Sequence, residues 1–441
     1  MRQYKNLRVF AAIFFWGMLL SYLWVAPKMY IRMTRGYADF SNFYTAGKIV
    51  QMGQRHHLYD LALQEQVQSQ FSEPVILHKR ALPFMRPAFE ALLFLPLSYL
   101  SYAHAYAFWV LSNVLLLGVA VAYLRWRIPE PGYDPASSSP ASLSSDMAVH
   151  LSASISGSPW WLYYPACFSF FAVFYGFVLG QDSVLMVLLF GLVMVHWFEH
   201  KDFRAGCFLG LALIKFQLVL PLVLILFLKR QFRALAGFSA VGAVLAALSV
   251  WVVGWEGAVA YPVYLWQLSR KGSAAAIYPS VMPSLRGLLE GWTDPLHPLV
   301  GLDVVTGLLS LGLLIWAARQ WHTDAPRASN VYAAGMSVVF LAALLAGYHE
   351  FSYDLSVLFP VIFLAACTGL HAWDLDSATR WMLVLGAFTL LYCPLGLFLV
   401  QNARLNLMAL VLLLLAWGFA RAIRVWRAAA TVPQPIHPID A

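Results

Sequence analysis

Ten stretches of about twenty mostly apolar residues recur along this chain, at 9–26, 103–124, 159–179, 182–198, 232–253, 299–318, 330–348, 352–373, 378–400 and 404–424. A helix needs about 20 such residues to cross the hydrocarbon core of a bilayer. Inside lipid each backbone donor and acceptor must be satisfied within the segment, so the pattern predicts an all-α polytopic membrane protein. Charge content agrees, since Asp, Glu, Lys and Arg make up 11% of the 441 residues, against roughly 25% in soluble domains. Two further segments depart from the pattern. Residues 84–100 are short and broken by Pro83, Pro87 and Pro96, and 203–228 is long with Lys215 and Gln217 in its middle. Counting both predicts about twelve spans, with short amphipathic helices in the first outer loop.

Positive charge sets the orientation. Arg2, Lys5 and Arg8 precede the first span, Lys229, Arg230 and Arg233 follow 203–228, and Arg421, Arg424 and Arg427 end the last span. Short basic loops stay cytoplasmic. Residues 28–83 and 254–298 then become extracytoplasmic loops within one membrane domain, 1–441. The basic clusters Arg125–Arg127 and His200–Arg204 also belong inside, which requires 203–228 to fold as two half-helices meeting near Lys215. No small-residue cleavage site follows the N-terminal basic residues, so the first span reads as uncleaved. The Pro/Ser-rich stretch 128–158 reads as a flexible linker and 428–441 as a disordered tail. The four cysteines lie in apolar runs without paired spacing, as small core residues. The net charge of +8 suits anionic lipid and calls for no nucleic acid.

Polar residues that packing does not readily explain gather on the outer side. Asp39, Tyr44 and Tyr59 lie in the first loop, Arg86 between Pro83 and Pro87, Gln181 in a short turn, and His349 and Asp354 in another. A half-helix end brings Lys215 towards them. Asp39 has two readings: a turn or cap residue, or a general base for an acceptor hydroxyl. His349 beside Glu350 likewise reads as a cap or as part of a site. Lys215 is harder to explain structurally, because a lysine centred in an apolar run costs on the order of 2.5–3.5 kcal/mol by insertion scales. His56 and His57 read as solvated loop residues. Together these side chains suit group transfer from a lipid phosphate, with cations stabilising the leaving group. No His/Cys cluster and no glycine-rich phosphate loop occurs, which gives little support to a nucleotide donor or a metal cofactor. A transporter or flippase is the rival reading. It would place ionisable residues at mid-membrane and carry an inverted repeat, whereas here they collect at one face. A non-catalytic scaffold is a third reading.

Four blocks carry a family resemblance. They are Asp39-Phe-Ser-Asn-Phe-Tyr44-Thr-Ala-Gly47 running on to Tyr59-Asp60, then Pro83 to Leu97, then Gly180-Gln181-Asp182 with Asp202 to Gln217, and finally Tyr348-His349 to Asp354. Their order and content resemble glycosyltransferase family 87. That resemblance implies the GT-C fold and an inverting transfer of a hexose, by analogy mannose, from a polyprenyl-phosphate sugar to a lipid-linked or glycan acceptor. The active site would face outward from the bacterial cytoplasmic membrane. It also implies that Asp39 is the catalytic aspartate and His349 the functional histidine. Met85-Arg86 stands where relatives carry an aromatic before proline, which makes Arg86 a candidate donor contact. Phe216 replaces a frequent proline at the expected helix break.

Overall fold

A computed structural model describes residues 2–78, 81–127, 160–271, 278–291, 300–327, 329–362, 364–365, 374–392 and 407–431. The linker 128–158 and the tail from 432 lie outside these. Most of the described residues are helical, with no strand among them. In order the helices are α1 Arg2–Arg32, α2 Phe40–Gln51, α3 Leu61–Gln68, α4 Glu73–His78, α5 Ala91–Phe94, α6 Tyr102–Arg127, α7 Trp160–Phe168, α8 Phe171–Leu179 and α9 Ser183–Phe198. They continue as α10 Asp202–Leu211, α11 Phe216–Leu228, α12 Phe232–Lys271, α13 Leu285–Glu290, α14 Val300–Gln320, α15 Asn330–Ala346, α16 Ser377–Leu391 and α17 Leu407–Thr431. Among the described residues six helical segments are long and apolar enough to cross a membrane, and four more apolar helices are shorter. Large apolar side chains such as Phe10, Leu23, Trp251, Val263 and Leu308 stand exposed along them, as expected where lipid is the solvent.

The half-helix pair expected around Lys215 is present. Residues Ala212–Lys215 form a 3₁₀ turn between α10 and α11, and Lys215 leaves helical geometry at φ −114°, ψ 68°. The chain then doubles back. Asp202 at the start of α10 pairs with Arg327, and the charge of Lys229 at the end of α11 reaches His322 only a few residues away. Both ends of the segment therefore lie at one end of the bundle, with Lys215 at the apex. α10 is held against α12 by missing side chains: a Cβ on Gly206 would lie 1.9 Å from the Ala234 carbonyl oxygen, and one on Gly237 2.0 Å from that of Phe203. Gly206 and Gly210 supply the small-xxx-small spacing that lets helices approach this closely.

Three segments differ from the sequence expectation. The stretch 159–179 is broken at Ser169–Phe170, where Phe170 is extended and the freed Ser169 carbonyl accepts from the Tyr22 hydroxyl at 3.1 Å. Residues 254–298 do not begin as a loop. Gly254 (φ 76°, ψ 169°) turns the chain, and helix resumes through Lys271. α17 likewise runs to Thr431, past the expected start of the tail. The turns at 88–99 are short and one long helix, α6, follows them. A single crossing there is what the basic clusters demand.

Two cores result. One fills the bundle with side chains of α7 to α11, α15 and α17, among them Phe190, Leu222, Phe340 and Leu412. The other lies under the first loop, where Phe40 and Phe43 of α2 pack on Phe94, Tyr106 and Trp109. Gly47 belongs to this second core, because a Cβ there would lie 2.6 Å from the Phe94 carbonyl.

Candidate active site

α6 builds the floor of the site by capping a turn. Its Tyr106 hydroxyl donates to the Val178 carbonyl (2.7 Å), Trp109 Nε1 to that of Gly180 (2.9 Å) and Asn113 Nδ2 to that of Gln181 (3.2 Å). Gly180 is left-handed at φ 63°, and a Cβ on it would meet Phe40 Cβ at 2.8 Å, so the turn needs glycine. This fixes Gln181, whose Nε2 donates to Asp39 Oδ2 at 2.7 Å.

Asp39 occupies the cap position of α2 but makes no side-chain cap hydrogen bond. Its carboxylate instead opens onto a cavity of about 600 Å³, also lined by Asn42, Arg86, Gln181, Arg286 and His349. That volume lies within the range of small-molecule sites. Burial raises its pKa from the ordinary 3.8 to about 6, with the Gln181 hydrogen bond and the Lys215 and Arg86 charges pulling the other way. A carboxylate poised there is ionised at neutral pH and still basic enough to take a proton.

Arg86 reaches Gln181 Oε1 at 3.5 Å and Asp182 Oδ1 at 3.3 Å. Behind the cavity wall, fully buried Lys215 binds Asp182 Oδ1 (3.0 Å), Ser183 Oγ (3.2 Å) and Asp354 Oδ1. The second oxygen of Asp354 accepts from the Phe351 backbone at 2.9 Å. Glu90 and Glu350 are buried as well. Burial first, then Asp354, hold the Glu350 carboxyl well above the carboxylate range.

His349 lines the cavity with its ring edge-on to Phe351 at 4.9 Å, and no hydrogen bond to the ring occurs among the described residues. It is neither a cap nor paired with Glu350. Burial, then Arg286 and Arg86, hold the imidazole down to about 3, so it is neutral at working pH. Its turn is tied down from outside. Arg286 Nη1 donates to the Tyr348 carbonyl (3.2 Å), its guanidinium stacks on the Tyr348 ring at 3.8 Å, and Gln217 Nε2 donates to the His349 carbonyl (3.4 Å).

Of the residues singled out in the sequence, Asp39, Arg86, Gln181, His349 and Asp354 share the cavity wall. Lys215, Tyr44 and Tyr59 do not line it. Lys215 braces the ion cluster behind it. The Tyr44 hydroxyl donates to the Leu100 carbonyl (2.8 Å) and that of Tyr59 to the Arg86 carbonyl (3.0 Å), so both tyrosines support loops. Arg286, missed in the sequence, carries a readable signal in its (i, i+4) partner Glu290, bonded at 2.7 Å. Among the described residues no group of three or more His, Cys, Asp or Glu is arranged to hold a metal ion. Asp374-Leu-Asp376 has the DxD spacing, but these carboxylates are engaged by Trp426, Thr379 and Arg421 and do not line the cavity.

Fold and site together define a multi-pass α-helical membrane protein whose cavity, lined mainly by apolar side chains, presents Asp39, Arg86, Arg286 and His349 and is braced by buried ion pairs. The profile of glycosyltransferase family 87 matches residues 84–347, more than half of the chain, and the chain belongs to that family. It is a membrane glycosyltransferase. No curated protein and no solved structure matches it.

Proposed function

We propose that the chain transfers a hexose, mannose by family analogy, from a polyprenyl-phosphate sugar to a hydroxyl of a lipid-anchored or glycan acceptor. Asp39 removes the hydroxyl proton as the oxygen attacks the anomeric carbon from the side opposite the phosphate. The carbon–oxygen bond to phosphate breaks, the polyprenyl phosphate leaves with the bonding electrons, and the anomeric configuration inverts. Arg86 and neutral His349 offer hydrogen bonds to the leaving phosphate.

The observation that carries this reading is the Asp39 carboxylate, free of any capping duty, anchored by Gln181 at 2.7 Å and open to the cavity. Asp39 and His349 fall outside the matched range, so their roles rest on this geometry and on the motifs around them. The same reading gives the protein a GT-C arrangement of about twelve crossings. The site then faces outward, because basic Arg230, Arg233, Arg421 and Arg424 lie at the other ends of the spans.

The test is transfer by purified protein in liposomes, supplied with labelled polyprenyl-phosphate mannose or with a labelled nucleotide mannose. Product from the lipid donor alone is expected, and a deletion strain should accumulate a glycolipid short by one sugar. Equal transfer from the nucleotide sugar in the absence of lipid donor refutes the donor assignment.

A further inference from the structure

The end of the bundle away from the cavity carries a second concavity of about 480 Å³, lined by Arg319, Gln320, His322, Arg424 and Arg427 among others. On α14, Asp303 sits at the cavity end, where its carboxylate accepts from the Tyr348 hydroxyl at 3.0 Å. Arg319 lies in the last turn of that helix, about 24 Å further along at 1.5 Å per residue. The two hollows therefore open at opposite ends of the bundle.

Most acids near the second hollow are already engaged. Asp202 takes a forked pair from Arg327 (2.6 and 3.0 Å), Asp376 takes Arg421 (3.1 Å), Asp374 takes the Trp426 indole (2.7 Å) and Glu199 takes Lys201 (2.7 Å). Asp324 is exposed, and its charge acts on His322. Arg319 and Arg424 have no carboxylate partner among the described residues. Arg424 lies over the Trp417 ring, 5.1 Å from its centroid, which positions the guanidinium without neutralising it. Arg427 Nη1 rests against the His322 ring nitrogens at 3.1 and 3.2 Å. Burial first, then Arg427, hold that imidazole below its ordinary range. The positive charge lining the hollow is thus carried by guanidiniums.

We propose that this hollow is a binding site for a phosphate group, gripped by Arg319, Arg424 and Arg427. Guanidinium forks match pairs of phosphate oxygens, and basic pockets between helices near a membrane surface recognise anionic headgroups. Helix orientation alone calls for positive charge at this face. It does not call for three guanidiniums from two helices converging on one hollow while most of the nearby acids are engaged elsewhere. The phosphate can come from a lipid headgroup or from free phosphate.

Native mass spectrometry of the full-length protein in neutral detergent tests this, with added cardiolipin, phosphatidylglycerol or phosphatidylcholine. The wild type should retain the two anionic lipids about tenfold more strongly than phosphatidylcholine. R424Q/R427Q and R319Q should lose that preference, whereas R233Q, a basic position on the same face outside the hollow, should keep it. Inorganic phosphate added in excess separates the sources: displacement of the lipid identifies phosphate itself as sufficient, and retention identifies the anchored headgroup. Either result supports the site. Unchanged preference in both pocket variants, or an equal loss in R233Q, overturns it.

Discussion

Replacing Asp39 by Asn tests the base assignment through two quantities that move in opposite directions. Asn keeps the size and can still accept from Gln181 at the 2.7 Å position, but it cannot take a proton. Loss of a general base costs about 10²–10⁴-fold in turnover. Stability should rise. Burial lifts the Asp39 pKa from 3.8 to about 6, which at about 1.4 kcal/mol per pH unit makes its ionisation cost up to about 3 kcal/mol. Cavity water screens part of this, so roughly 1–2 kcal/mol is the expected gain for D39N at pH 7.5. The folded state holds the Asp39 proton more tightly than the unfolded chain does. Wild-type stability relative to D39N therefore falls as pH rises from about 4 to about 6 and is level above that. Thermal unfolding in detergent between pH 4 and 8 reads the second quantity, and single-turnover sugar transfer reads the first. Full transfer activity in D39N refutes the base assignment, and a stability difference that does not change below pH 6 refutes its electrostatic origin.

Other perturbations have equally definite outcomes. Lys215→Met leaves Asp182 and Asp354 buried without their shared cation, and should destabilise the protein by about 3–5 kcal/mol in thermal unfolding; an unchanged midpoint would contradict the buried ion cluster. Gly206→Ala sets a Cβ 1.9 Å from the Ala234 carbonyl, so α10 and α12 must part at a cost of more than about 2 kcal/mol, and wild-type stability would contradict the packing. Transfer should rise with pH through about 6 and then plateau, following Asp39. His349→Gln should lower the rate without moving that midpoint, because the imidazole is already neutral above about 3; a displaced midpoint would assign the titration to His349 instead. Gln181→Glu brings a carboxylate against Asp39 and should move the acid limb upward, and an unmoved limb would detach Gln181 from the base.

Much of this site was legible because each residue broke a local rule. Lys215 stood out as a charge in an apolar run, and Asp39 and His349 as ionisable groups at the mouths of spans. What the sequence could not give was the use of each group. Lys215 drew notice for its cost, and that cost is met by Asp182 and Asp354, from segments far away in the chain. Tyr44 and Tyr59 sit inside motifs but spend their hydroxyls on carbonyls of Leu100 and Arg86. Arg286 was missed because the stretch after Gly254, interrupted by Glu256 and Pro262, reads as loop rather than as helix continuing to Lys271. Hydropathy alone does not reveal that 203–228 returns to its own side; the basic residues at both of its ends, 200–204 and 229–233, do.

The ion cluster behind the cavity has a consequence for engineering. Arg86, Asp182, Lys215 and Asp354 reach it from four separate stretches of chain. A chimera that exchanges any one stretch with a relative imports a fragment of a charge balance, and strands its partners inside the protein. Donor or acceptor preference will therefore be transplanted only by moving all four stretches together, or by altering the cavity wall and leaving the cluster intact.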